Sequence, residues 1–151
     1  MTRRKSEYEI QQSNKAKDLL KKSNIFNGDL GGKLFPIDNR LIPKADFLLN
    51  SRNNLHNFMV QDVIDYFVKN EIVFWKTGIA GVDEHNMPTG HTLSSQISCL
   101  NHLFPFRKDK KGVEDIFGIS NAEKIEDGYI AFEYVNNNIL YLKESCETRG
   151  D

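Results

Sequence analysis

The chain has 151 residues, of which 39% are hydrophobic and 27% charged, and its formal net charge is -1. That mixture fits a soluble domain with a real core and argues against a wholly basic nucleic-acid binder. No apolar run approaches the ~20 residues that cross a bilayer, so a membrane is excluded as a partner. The polar opening, Met1-Thr2-Arg3-Arg4-Lys5, lacks the apolar stretch of a signal peptide. Cys99 and Cys146 stand in no metal or redox spacing, and free thiols fit a cytoplasmic setting.

Charge is unevenly spread. Residues 1–22 hold seven Lys/Arg against three Asp/Glu, a +4 arm ahead of a remainder at -5. Such an arm is either a solvated helix face or a phosphate contact. Residues 5–23 read as a weakly amphipathic helix. Gly28, Gly31, Gly32 and Pro36 then break regular structure, so 27–44 is expected as an extended surface segment that Pro43 ends. We divide the chain into a basic helix with an extended segment over 1–49 and a second part over 50–151.

The spacing of Leu55, Met59, Val63, Tyr66 and Phe67 predicts one helix over about 51–70, with Phe58, Ile64 and Val68 widening its apolar face. Ile72-Val73-Phe74-Trp75 is a β-branched and aromatic run, expected as a buried strand or a docked extended segment. A polar, glycine-containing loop follows to Pro88.

The most informative stretch is His91-Thr92-Leu93-Ser94-Ser95-Gln96-Ile97-Ser98-Cys99-Leu100-Asn101-His102-Leu103-Phe104-Pro105. It reads as a short helix with Thr92 as N-cap and Pro105 as the stop. At about 100° per residue, Leu93, Ile97, Leu100 and Phe104 form one stripe, and Gln96 falls inside it. A buried amide needs its hydrogen bonds met. Gln96 is either a core residue bonded to a neighbouring loop or a polar group aimed into a site.

Arg107-Lys108-Asp109-Lys110-Lys111 lies just past that helix, where cations suit the helix dipole and can also reach phosphate. Residues 113–117 suggest a short helix ended by Gly118. Residues 129–135 alternate as a strand, Asn136-Asn137-Asn138 supplies a turn, and 139–142 returns as its partner.

Several chemistries fail on spacing. The four histidines are scattered, with neither Cys-x-x-Cys nor His-Glu-x-x-His. Ser94 and Ser95 have no nucleophile elbow, and the glycines around Lys33 lack phosphate-loop spacing. Glu133 in the strand and Glu144 after its partner are the acids placed where strand carboxylates hold Mg²⁺, or simply face water.

The His-x-x-Ser-Ser-Gln…Asn-x-Leu-Phe-Pro string, together with Glu71 to Trp75, Phe132-Glu133-Tyr134 and Arg149-Gly150 in that order, resembles a bacterial restriction-endonuclease-like family assigned to the PD-(D/E)XK nucleases. The resemblance covers about 50–151. It implies Mg²⁺-dependent DNA cleavage on an α/β sheet, with an Asp and a Glu-x-Lys on adjacent strands. Those elements would follow Arg149-Gly150, so the resemblance carries over only the helical half, the hairpin and Glu133. The expected architecture is α+β, mostly helical, with a C-terminal β-hairpin that begins an incomplete nuclease sheet. The expected function is the N-terminal portion of a DNA endonuclease, inactive alone. The alternatives are a subunit completed by a partner chain or a second copy, and a non-enzymatic DNA-binding or protein-interaction module. Glu133 is the catalytic candidate, and Glu133 with Glu144 the metal candidates. His91, Ser95, Gln96, Arg107, Lys108, Lys110 and Lys111 are the residues expected to face DNA or support the site.

Overall fold

A capping box starts the first helix. Ser6 Oγ accepts the Glu9 N–H at 3.2 Å, and the Glu9 carboxylate accepts the Ser6 N–H at 2.6 Å. Two donors that a first turn leaves unpaired are thereby satisfied. In this computed structural model, which describes residues 6–22, 24–77, 79, 82–125, 127–136 and 148–150, α1 spans Glu7–Lys22. It buries a thin stripe of Ser13, Ala16 and Leu20 and leaves Tyr8, Ile10 and Leu19 exposed.

The segment 27–44 is more ordered than its prolines suggest. It forms an antiparallel hairpin of β1 (Lys33–Ile37) and β2 (Arg40–Lys44), with Ile37 opposite Arg40 and Lys33 opposite Lys44. Asp38 and Asn39 take φ of 49° and 60°, the left-handed pair that a two-residue hairpin turn requires. Pro43 does not end the segment; it sits inside β2, opposite Leu34. Ahead of the hairpin, Asp29 ties the chain together. Its Oδ1 accepts the Gly31 and Leu49 N–H groups at 2.9 and 3.1 Å, and its Oδ2 accepts the Asn50 N–H at 2.9 Å. Gly31 has φ 72°, and a Cβ there would lie 2.5 Å from the Ala45 carbonyl oxygen. Only glycine fits.

The helix expected over 51–70 is broken. Two 3₁₀ turns, Ser51–Asn54 and Asn57–Met59, precede α2 (Val60–Lys69), and Leu55 between them is extended at φ -99°, ψ 151°. The cause is local. Asn50, Asn53, Asn54 and Asn57 compete with the backbone for hydrogen bonds and favour caps and turns over helix interior. Asn50 Oδ1 accepts the Arg52 N–H, while the Asn54 amide donates to the Thr89 and His91 carbonyls at 2.8 and 2.9 Å. The apolar pattern survives the break: Leu55, Met59, Val63, Tyr66 and Phe67 are all buried. Phe58 and Val68 are exposed and do not broaden the core face.

Residues 72–75 pair with no strand among the described residues and are instead docked on the core, the second of the two forms expected. Phe74 stacks on Phe67 at 4.2 Å. The anchor is Gln96, whose Oε1 accepts the Trp75 N–H at 2.9 Å and whose Nε2 donates to the Val73 carbonyl at 3.4 Å. Helix α3 (Ser95–Leu103) starts later than expected. Thr92 is not its cap: its N–H and hydroxyl both donate to the Asp46 carbonyl. Ser94 takes that role, with its Oγ accepting the Ile97 N–H at 3.4 Å. Leu93 is exposed, while Ile97, Leu100 and Gln96 are buried. A 3₁₀ turn at Phe104–Phe106 follows, with Pro105 inside it.

α4 (Lys110–Phe117) closes on Gly118 in the left-handed conformation, as the sequence indicates. The strand expected over 129–135 is confined to β3 (Tyr134–Asn136), which pairs antiparallel with β4 (Thr148–Gly150). Residues 139–142, expected as its partner, lie outside the described residues. Glu133 is not within the strand; it occupies a bend ahead of it with φ 50°. The result is an α+β chain, mostly helical, with small antiparallel pairs. It groups into two units, Met1–His102 and Leu103–Asp151, so residues on both sides of position 50 share one unit.

Candidate nucleic-acid interface

The turn before α3 is fixed from several directions. Gly90 accepts the Leu48 N–H at 2.9 Å, Thr92 donates to Asp46 at 3.0 Å, and Asn54 holds the Thr89 and His91 carbonyls. Asn101 of α3 donates to the Asn54 carbonyl at 2.9 Å, and its Oδ1 accepts the His56 N–H at 3.0 Å. Side-chain amides, that of Asn54 buried, thus tie three segments to one turn. A Cβ at Gly90 would meet the Leu48 carbonyl oxygen at 3.0 Å, so the two backbones pass closely. Gln96, Ser94 and Asn101 spend their hydrogen-bonding groups on this scaffold. The core reading of Gln96 is the one observed.

His91 emerges from that scaffold half-buried. Its ring stacks on Phe47 at 4.6 Å, and its Nε2 lies 3.7 Å from Asp46 Oδ2. The sequence gives no local hint of this acid, which comes from 45 positions upstream. Residues His91, Leu93, Ser94 and Ser95 form a ridge between two hollows. One, of about 560 Å³, is lined by Tyr8, Glu9 and Gln12 of α1, by Asp46 and by the ridge. Its carboxylates make it unfavourable for phosphate. The other, of about 490 Å³, is lined by Phe35, Lys44, Trp75, Lys76, Thr77 and Thr89 together with the ridge.

The second hollow has a different chemistry. Lys44 and Lys76 supply positive charge, with no carboxylate among the lining residues. Trp75, 43% exposed, offers a flat face for a base. Ser95 begins α3, where backbone N–H groups and the helix dipole favour an anion. Behind it, Asp83 accepts the Thr77 N–H and hydroxyl at 2.9 and 2.6 Å and fixes the loop that carries Lys76. Cations, an aromatic face and hydroxyls in one concave site are suited to a nucleic-acid strand. Of the residues singled out from sequence, His91 and Ser95 sit here. Lys44, Trp75 and Lys76 were missed, although the Trp75-Lys76 step was a visible signal.

The basic run after α3 is organised differently. Arg107 is buried and ion-paired with Asp127, and its carbonyl accepts the Tyr129 N–H at 2.7 Å. It holds its own unit together rather than facing a ligand. Lys108 lies 3.9 Å from Asp127 and Lys110 lies 3.8 Å from Glu114. Lys111 is bound by Asp115 at 3.0 Å, and that hydrogen bond and charge raise its pKa. These lysines remain solvent-accessible but partly compensated.

Among the described residues no three His, Cys, Asp or Glu side chains stand together in a way that holds a metal ion. Glu133 is a single acid, and Glu144 lies outside the described residues. The described donors therefore do not fit a Mg²⁺ site on their own. No described helix is long and apolar enough to cross a membrane.

The model of a family described as "Restriction Endonuclease associating with ARP" matches residues 20–149. No curated protein and no solved structure matches the chain.

Proposed function

The chain belongs to the family of restriction endonucleases associating with ARP, and from that premise we propose that it engages DNA as a restriction-endonuclease component and works with ARP as its protein partner. The observation that carries the DNA part is the hollow in which Lys44, Lys76, Trp75 and Ser95 converge. Phosphates meet the lysines and the start of α3, and the Trp75 ring packs against the sugar and base edge. His91, backed by Phe47 and Asp46, borders the same strand path. Lys108, Lys110 and Lys111 form a second, weaker set of phosphate-binding groups.

In this reading the assembled enzyme is a bacterial, cytoplasmic, Mg²⁺-dependent endonuclease of the PD-(D/E)XK kind. Glu133 is the acid this chain contributes, and the remaining metal donors come from outside the described residues. Alone, the chain binds without cutting. The role of its described residues is to grip and orient the substrate.

Salt dependence tests the grip. Removing one phosphate-binding charge should flatten the plot of log affinity against log salt by about 0.9 on duplex DNA. The Lys44→Gln, Lys76→Gln double variant should bind a duplex oligonucleotide more weakly, with a slope reduced by about 2. An unchanged affinity and slope would show that DNA does not use the hollow.

A further inference from the structure

His91 belongs to the lining of two hollows of opposite charge. On one side α1 brings Tyr8 and Glu9, and the chain after β2 brings Asp46. On the other, β2 brings Lys44 and the docked segment brings Lys76. The residue is held in place from several directions. Thr89 Oγ1 accepts its N–H at 3.2 Å, and the Asn54 amide donates to its carbonyl at 2.9 Å. Its ring lies on Phe47 with 21° between the planes, which restrains the imidazole. Asp46 Oδ2 is 3.7 Å from Nε2, and the acid is 16% exposed against 34% for the ring. Solvent therefore screens this pair less than it screens two surface charges.

The charge at the ridge depends on that ring. With the imidazole neutral, the pair keeps the negative charge of its carboxylate, which opposes a phosphate in the neighbouring hollow. With the imidazole protonated, the pair is neutral and that opposition is gone. Hydrogen bonding changes in the same direction. A neutral ring has one N–H to divide between Asp46 and a phosphate, whereas an imidazolium has two, one for each. Carboxylate, phenol, amine and imidazole all occur around the ridge, and only imidazole ordinarily changes charge between about pH 5 and 8.

We infer that His91, paired with Asp46, is the pH-dependent phosphate contact of the hollow: the strand binds the imidazolium form and is released as the ring loses its proton. Asp46 is a positioning residue, acting on the strand only through His91. This rests on the reading that DNA occupies the hollow. Linkage is reciprocal, so a strand that prefers the protonated ring must also make that ring harder to deprotonate.

The test is affinity of the full chain for a duplex oligonucleotide at fixed salt, from pH 5.5 to 8. Wild type should weaken about tenfold across that range, the loss of one charge-assisted hydrogen bond. Its plot of log affinity against log salt should be flatter by about 0.9 at the upper end. His91→Gln should show neither change. Asp46→Asn should bind several-fold more tightly than wild type at pH 8, an effect that damage to the fold would not produce. In wild type, the proton-magnetic-resonance titration of the His91 ring should move to higher pH when oligonucleotide is added. A His91→Gln profile as steep as that of wild type, or a ring titration unmoved by bound DNA, would overturn this assignment and leave the hollow standing. No binding by wild type anywhere in the range would overturn the hollow and this inference with it.

Discussion

Single residues with several hydrogen-bond partners hold the larger unit together, and Asp29 is the clearest. Partial burial opposes its ionisation, but the N–H groups of Asn50, Gly31 and Leu49 outweigh this and hold its carboxyl below the usual carboxylate range. Because the folded-state pKa is lowered, its contribution is complete above the ordinary value near pH 4 and is lost as pH falls through the folded-state value. Thermal melts of wild type should therefore lose stability as pH drops from about 5 towards 2, part of which Asp29→Asn should lack. At neutral pH Asp29→Asn should cost about 1 kcal/mol, less than is usual for a charged hydrogen bond because solvent screens the site. An unaltered acid limb in the variant would show that the three N–H bonds do not matter to folding. Gln96 and Asn54 act in the same way through buried amides. Their polarity within an apolar pattern was legible in the sequence, but which backbone each would hold was not, because those partners lie 21 to 37 residues away.

At the level of elements, periodicity read correctly and boundaries did not. α1, α4, the buried positions of 55–67 and the stop at Pro105 follow directly from residue spacing. The errors have physical causes. Four asparagines broke a helix whose apolar spacing was intact, and two prolines concealed a hairpin whose Asp38-Asn39 turn was the better signal. Thr92 and Ser94 both look like caps by type; the tertiary bond from Thr92 to Asp46 decides between them. Ser94→Ala should accordingly cost about 1 kcal/mol in urea melts, while Ser95→Ala should stay within about 0.5 kcal/mol. Equal costs at both positions would contradict the assignment of the cap. The strand expected through Glu133 failed for a similar reason, since a residue at φ 50° cannot continue a ladder.

For the whole molecule, family membership and the site make separate statements. The family match spans both units, whereas the cationic and aromatic hollow belongs to the first alone. The sequence pointed to His91 and Ser95 as part of a site but could not assemble it, because Lys44 and Trp75 reach the ridge only through the hairpin and the Gln96 anchor. Gripping and cutting are separate tasks in the proposed enzyme. Supercoiled plasmid with Mg²⁺ should be cut by the chain together with ARP and not by the chain alone. Glu133→Gln should lower cutting at least 100-fold while leaving DNA affinity within about twofold, as expected for a residue whose role is in the reaction. Full cutting by the Glu133→Gln assembly would remove Glu133 from the chemistry.

DNA held in the hollow would lie beside Trp75, and the chain carries its own reporter there, since Trp75 is its only tryptophan. Titrating the full chain with a short oligonucleotide at low salt should quench Trp75 emission in a saturable way. The quench should recede as salt rises, because phosphate neutralisation carries the affinity. Binding detected by anisotropy with no change in Trp75 emission would place the nucleic acid elsewhere and rule out the hollow as its site.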